Sequence, residues 1–450
     1  MNMHTEKSDA RDIALKALEV YRRNRVWPES VLKSYIEKYA ASKKDSALAW
    51  RIVFGVIQNL YLLDYYISSF SKIPLKKIHP TVLDILRLSA YQIIYLDRVP
   101  NSAAVNTGVH FARKYTNSKA AGFVNAILRK IAVNFDNNNL PKVEEKSDSK
   151  RLSIIYSHPE WLVSELIKSI GYEETEALLQ INNLVTAKVF IQVNTLRASV
   201  ADVLAAFSIE KIHAQKHQWL DNCIEIYDAH DITELSAFKE GLFYVQDPAS
   251  NLVIAASGLK SGDMIIDGCS APGGKAFAAA TTMKNIGKIF AFDIKQNKIS
   301  EIKQGADRLG IEIIKAQASD SAKSDDSLIK TADIVFADVP CSGFGVIQKK
   351  PEIRYKTAQS VSELPMIQSK ILRNLASYVK PGGVLMYSTC TVFSNENEDI
   401  VANFVSENPE FAFEPFSLPH VGEVSSGMVT LWPQLHGTDG FFICKLRRKQ

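Results

Sequence analysis

The chain has 450 residues, 46% hydrophobic and 23% charged, with a formal net charge of +4. That composition belongs to a folded globular protein and excludes a disordered chain, and the length asks for two to four domains. The small excess of positive charge permits a nucleic-acid partner without requiring one.

The first residues, 1–11, are polar and lack the apolar core of a signal peptide. From about residue 9 to 133 apolar side chains recur at helical spacing, as in Val53, Val56, Ile57, Leu60 and Leu63. Pro80 stands at a natural first helical position ahead of Val82, Ile85 and Leu86. An all-helical domain is expected over 1–136. Residues 137–150 (NNNLPKVEEKSDSK) are polar and aperiodic and predict a linker. Helical patterns over 160–170 and 174–181 and strand-like runs over 189–193 and 223–227 predict a small α+β module spanning 151–240.

From residue 241 to the end the rhythm is strand, loop, helix. Short apolar strands are expected at 264–267, 288–293, 311–316 and 333–338, and Pro381-Gly382-Gly383 is expected to stop a helix and launch a strand over 384–388. Strands alternating with helices give a doubly wound parallel sheet, and near-continuous apolar strands fit burial on both faces. No apolar run reaches bilayer length, so a cytoplasmic protein without a membrane partner is expected.

Ligands of such sheets bind beyond the carboxyl ends of the strands. Asp267, Asp293, Asp320 and Asp338 fall at four successive ends and are expected to converge on one crevice. The first loop, Cys269-Ser270-Ala271-Pro272-Gly273-Gly274-Lys275, lets backbone approach a ligand and leads into a helix N-terminus. It matches neither a dinucleotide fingerprint nor a P-loop. Asp293 is placed to bind ribose hydroxyls. A nucleoside without a pyrophosphate fits best, and S-adenosylmethionine is one.

Five cysteines, Cys223, Cys269, Cys341, Cys390 and Cys444, form an odd, sparse set with no CxxC pair. A disulfide framework and a zinc cluster are both disfavoured, and no metal is expected. Cys223 and Cys444 sit inside apolar runs and read as inert core. Cys341 and Cys390 sit at polar strand–loop junctions beside the proposed ligand crevice. Two thiols there suit chemistry on a pyrimidine. A thiolate adding to C6 makes C5 enamine-like, so C5 takes a methyl group from a sulfonium, and a second acid/base group speeds loss of the C5 proton. Asp338, three residues before Cys341, is placed to stabilise the adduct near N3 and the exocyclic amine. Position alone does not say which cysteine attacks.

The stretches DGCSAPGGK (267–275), DVPCSGFGV (338–346), YSTCT (387–391) with ENE (396–398), and DGFF (439–442) resemble the bacterial 16S rRNA cytosine-C5 methyltransferases of the RsmB (Fmu/Sun) type. AAVN (103–106) and GFVNAILRK (122–130) resemble that family's NusB-like RNA-binding domain, and SHPEWLV (157–163) and VQDPAS (245–250) are also family-like. The resemblance spans nearly the whole chain. It implies an S-adenosylmethionine-dependent enzyme that methylates C5 of a cytosine in 16S rRNA; a monomer acting on naked rRNA or an early assembly intermediate is expected. It implies cofactor binding by Cys269, Ser270, Ala271, Pro272, Gly273, Gly274, Lys275, Asp293, Asp320 and Asp338. It makes Cys390 the nucleophile and Cys341 the residue that assists release, whereas in related DNA enzymes the cysteine of the PC motif attacks. Ala276, Val339, Gln192 and Gln348 depart from the family pattern, the last two by removing charge from expected RNA-facing positions. A tRNA or 23S rRNA enzyme and a non-catalytic NusB-like RNA-binding factor are the alternatives. Arg129, Lys130, Lys349, Lys350, Arg354, Arg447, Arg448 and Lys449 are candidate phosphate contacts.

Overall fold

The computed structural model describes residues 9–24, 27–184, 188–227 and 231–450. Residues 1–8 of the polar N-terminal stretch lie outside the described residues. The chain divides into two compact units, residues up to Leu184 together with Ile347–Lys356, and the remainder.

The first unit is helical. Its described helices are α1 (Ala10–Asn24), α2 (Pro28–Lys38), α3 (Lys43–Gln58), α4 (Leu60–Phe70), α5 (Pro80–Tyr95), α6 (Asn101–Tyr115), α7 (Ser118–Asp136), α8 (Asp148–Tyr156) and α9 (Glu160–Asn183). Ser42 caps α3 by accepting from Asp45 N, and Asn117 caps α7 by accepting from Ala120 N, each satisfying an orphan donor. Ile13, Ile52, Val53, Val56, Leu63, Ile85, Leu86 and Leu128 bury their apolar faces in one core. At Gly55 a Cβ would lie 1.9 Å from the Tyr91 ring, so only glycine lets α3 approach α5 this closely. The two helical patterns of 160–181 run on as α9, broken by non-helical Gly171 (φ 80°). These residues belong to the first compact unit.

The helical unit also contains a segment far away in sequence. Residues 347–356 include a 3₁₀ turn, Pro351–Tyr355, with Arg354 fully buried. Arg354 Nη1 donates to Gln58 O (2.9 Å), Tyr156 O (3.2 Å) and Asn183 Oδ1 (2.7 Å), and Nη2 donates to Asn182 O (3.1 Å). Gln58, Tyr156 and Asn183 end α3, α8 and α9. Helix C-termini carry unsatisfied carbonyls and the negative end of the dipole, so one guanidinium serves three of them. Burial lowers the Arg354 guanidinium to about 10. Burial, with Arg354 next in importance, also holds the fully buried His158 well below the usual histidine value. Arg354 is therefore a structural plug and not the phosphate contact expected from sequence.

The second unit begins with a four-stranded antiparallel sheet of order β2-β3-β1-β4. Its strands are β1 (Lys188–Val193), β2 (His213–Lys216), β3 (Cys223–Tyr227) and β4 (Phe243–Val245), with helix α10 (Val200–Ile209). Sheet and helix together form a small α+β part. Gln192 is buried on β1, its Nε2 3.4 Å from Gln246 O, so it does not face RNA as expected.

The large sheet has eight strands. Its parallel part is β5 (Met264–Asp267), β6 (Lys288–Asp293), β7 (Ile314–Ala318), β8 (Ala332–Asp338) and β9 (Val379–Thr389). Three further strands, β10 (Phe411–Phe413), β13 (Met428–Leu431) and β14 (Phe441–Arg448), continue it, with β14 antiparallel to β9; a separate hairpin joins β11 (Phe416–Leu418) and β12 (Gly422–Val424). The order β10-β14-β9-β8-β5-β6-β7 puts the switch point between β5 and β8. Ile265, Ile289, Phe336 and Met386 fill one face, and Ile266, Val335, Ala337 and Leu385 the other. Two expectations shift. The third strand starts at Ile314, with Ile311 buried in the preceding loop. Pro381-Gly382-Gly383 lies inside β9, which begins at Val379.

Candidate active site

The loop after β5 is built to leave room. Gly273, at φ 110°, caps helix α13 (Gly274–Thr282), and the first turn of that helix carries Lys275. Ser270 N donates to Phe292 O (2.7 Å) and Gly268 N to Phe336 O (3.0 Å), tying the loop to the strands on either side. A cleft of about 230 Å³ opens above it, lined by Asp267, Cys269, Ser270, Ala271, Pro272, Gly274, Lys275, Asp338 and Cys390 among others.

Asp267 ends β5 and is fully buried, with neither carboxylate oxygen hydrogen-bonded; Ser270 Oγ is likewise buried without a partner. Burial raises the Asp267 carboxyl to about 7. Asp293 ends β6 and accepts from Lys295 N (3.1 Å). Asp320 lies two residues beyond β7 and accepts from Ala322 N (3.0 Å). These last two do not line the cleft, yet all four acids bear on one thiol. Cys269 is pushed far up by burial first, then by Asp267, Asp338, Asp293 and Asp320.

β8 and β9 are neighbours, with Asp338 opposite Ser388. Ser388 Oγ donates to Asp338 Oδ1 (2.7 Å) and Lys275 Nζ to Asp338 Oδ2 (2.6 Å). Lys275 is only 7% exposed, also donates to Ser250 Oγ (3.0 Å), and sits 5.1 Å above the Phe441 ring. Cys341 lies three residues past β8 and Cys390 one past β9. Their sulfurs are 2.9 Å apart, and Cys390 N points at Cys341 Sγ (3.2 Å). Cys341 is held well above the usual thiol value, first by its hydrogen bond to Cys390, then by burial and by the charges of Glu396 and Asp338. Cys223 and Cys444 are buried in strands.

Sequence reading left several site residues without a role. Ser250 and Asp247 belong to the VQDPAS stretch. Asp247 caps helix α12 (Pro248–Ser257) through Ala249 N and accepts from Asp439 N (3.2 Å) of the DGFF stretch. Both stretches stood out as motifs, but nothing local said that they meet. Of the basic candidates, Arg447 and Arg448 are also committed, Arg447 to Glu414 and Gly382 O and Arg448 to Val379 O.

Comparisons with known proteins agree with this layout. Residues 255–447 match the family described as 16S rRNA methyltransferase RsmB/F, residues 8–133 the NusB family, and residues 158–233 the ferredoxin-like domain of RsmF/B-like methyltransferases. The chain is 36% identical to the Bacillus subtilis "probable ribosomal RNA small subunit methyltransferase B", covering 99% of this chain and 100% of the relative. It is 26% identical to ribosomal RNA small subunit methyltransferase B of Klebsiella pneumoniae, covering 91% of each. Among solved structures, PH0851 superposes with a TM-score of 0.82 at 25% identity over the full length of both chains. NSun6 from Pyrococcus horikoshii, solved with SFG, gives 0.59 at 22% identity, covering 65% of this chain and 98% of that one. Fold and matches together define an S-adenosylmethionine-dependent methyltransferase with a NusB-like helical part. Within that class, the chain belongs to the ribosomal RNA small subunit methyltransferase B family.

Proposed function

We propose that the protein methylates C5 of a cytosine in 16S rRNA through a covalent adduct between Cys390 and C6. The observation that carries this reading is the pair of thiols 2.9 Å apart at the ends of neighbouring strands, beside the Lys275–Asp338 ion pair.

The loop residues Cys269 to Lys275, with Asp293, Asp320 and Asp338, are the proposed cofactor-binding set. The fit to S-adenosylmethionine rests on the chemistry of the donors. A buried carboxylate with no partner suits a ligand bearing a cationic amine, and an α-helix N-terminus without a phosphate motif suits a nucleoside. The cofactor supplies an electrophilic methyl group on a sulfonium.

The remaining work falls to side chains of this protein. Cys390 Sγ adds to C6 as thiolate, forming the S–C6 bond and moving electron density to C5. Asp338, its charge balanced by Lys275, accepts from the exocyclic amine and orients the ring. After C5 is methylated, a water molecule in the cleft takes its proton, and the C5–H electron pair forms the C5=C6 double bond. The S–C6 bond then breaks and returns the electron pair to Cys390. Cys341, kept protonated by its surroundings, is the group positioned to assist this last stage. Duplexed target bases must be flipped out or presented unpaired, at a cost of a few kcal/mol.

The deciding experiment is mapping of 5-methylcytosine in 16S rRNA from cells with and without the gene, alongside transfer assays on naked 16S rRNA, tRNA and 23S rRNA. A single C5 site that disappears with the gene is expected. Methylation at another atom, or on tRNA alone, overturns the reading.

A further inference from the structure

One buried carboxylate near the thiols is not used by that scheme. Glu396 sits in the turn after β9, only 2% exposed. Its Oε2 accepts from Ser342 N (2.9 Å), the residue after Cys341, and from Gln368 Nε2 (2.8 Å). Gln368, fully buried on helix α16 (Leu364–Tyr378), also donates to Pro340 O (3.0 Å), the residue before Cys341. The turn is itself fixed to β9. Tyr387 OH donates to Glu396 O (2.6 Å), and Asn397 bonds Thr389 Oγ1 (2.5 Å) and Thr391 O (3.1 Å), on either side of Cys390. Both neighbours of each cysteine are thus tied into one network, those of Cys341 through the Glu396 carboxylate and Gln368 and those of Cys390 through the adjoining Asn397.

We propose that Glu396 is a positioning residue for the two-thiol reaction, its carboxylate joining the Cys341 loop to the Cys390 loop and so fixing how the two sulfurs face the base. The proposal rests on the two-cysteine scheme above. A buried carboxylate is costly unless its lone pairs are used, and here one oxygen gathers a backbone and a side-chain donor belonging to the opposite loop and its supporting helix. Misplacing a reacting group by about 1 Å costs about 10²-fold in rate. The charge has a second effect, because Glu396 acts on Cys341 together with Cys390 and Asp338, all favouring the thiol. Tyr387 is the other titratable group facing the same sulfur.

The variants are Glu396→Gln, which keeps the shape and removes the charge, and Gln368→Met, which removes the second donor. In the full-length protein, single-turnover methyl transfer to 16S rRNA is expected to fall about 10²-fold, with S-adenosylmethionine affinity within about twofold of wild type. Independently of catalysis, iodoacetamide labelling of Cys341 is followed against pH in a Cys390→Ser background, with peptide mapping. Glu396→Gln should move its midpoint down, since a charge that favours the thiol is gone. Unchanged labelling in Glu396→Gln together with unchanged transfer in both variants overturns the proposal. A shifted midpoint in a protein that forms no 5-methylcytosine on any RNA supports the clamp and discards the reaction. Should Glu396→Gln fail to bind S-adenosylmethionine, Gln368→Met decides through transfer alone.

Discussion

Lys275 and Asp338, 63 residues apart in sequence, meet at 2.6 Å on the wall of the cleft. Lys275 arrives on the first turn of α13 and Asp338 at the tip of β8, so the pair closes the sheet's switch point from both sides. Lys275→Met should leave Asp338 without its cation and loosen the carboxylate that the proposed reaction uses to orient the base. Methyl transfer should drop by about 10² or more, while the protein still binds S-adenosylmethionine measurably. Steady-state assays with isothermal titration check this, and wild-type turnover would remove the ion pair from the mechanism.

The two thiols make separable predictions. Cys390→Ala should abolish transfer with cofactor binding retained. Cys341→Ala should accumulate a protein–RNA adduct that survives a denaturing gel. Retained turnover in the first, or no adduct in the second, reverses or discards the assigned roles.

Sulfurs 2.9 Å apart need little movement to reach bonding distance. The thiol oxidant diamide should therefore form an intramolecular Cys341–Cys390 disulfide, with loss of activity that dithiothreitol restores. Peptide mapping reads the bond directly. Oxidation that instead joins two chains, or spares this pair, contradicts the geometry.

Asp267 gives a pH signature. Its folded value of about 7 lies above the unfolded carboxylate value. The folded state thus holds a proton that the unfolded state has released, and stability falls as pH rises from about 4 to about 7, then levels off. The shift corresponds to a cost on the order of 4 kcal/mol above pH 7. Asp267→Asn should raise the melting temperature of the ligand-free protein at pH 8 more than at pH 5, and should weaken S-adenosylmethionine binding. An equal change at both pH values would falsify the assignment of an ionised, unpartnered Asp267 at pH 8.

Much of this was legible because it is locally encoded. β5, β6 and β8 are buried on both faces, so they appear as continuous apolar runs ending in an acid. β7 is an edge strand with mixed exposure, and its expected start slipped to Ile311, which packs as a loop residue. Lys275 was expected only to bind cofactor, since nothing near residue 275 announces a partner at 338. Gln192 and Arg354 were judged by charge and neighbours in sequence, and both turned out to be buried among partners brought from afar.

Arg354 also predicts a stability effect with no RNA effect. Arg354→Ala leaves the Gln58 carbonyl without its donor and removes one of the donors at Tyr156 O and Asn182 O, and should cost about 1–3 kcal/mol, read as a lower melting temperature. The salt dependence of RNA binding by the folded protein should stay unchanged, because the side chain is fully buried. A flatter salt slope would return Arg354 to the phosphate contacts.

The 347–356 detour bears on how this molecule can be taken apart. The peptide backbone passes between the units at 184/185, again at 346/347 and back at 356/357. A gene fragment starting at 185 would therefore carry Arg354 and Tyr355, whose hydroxyl donates to Ile57 O of α3, without the interior they fit, and a fragment ending at 184 would lack its plug. The NusB-like part resembles a detachable prefix in sequence order, but its fold is completed by ten residues encoded just after the Pro340-Cys341 motif. Dissection into halves, or transplantation of the helical part onto another methyltransferase, has to move those ten residues with it.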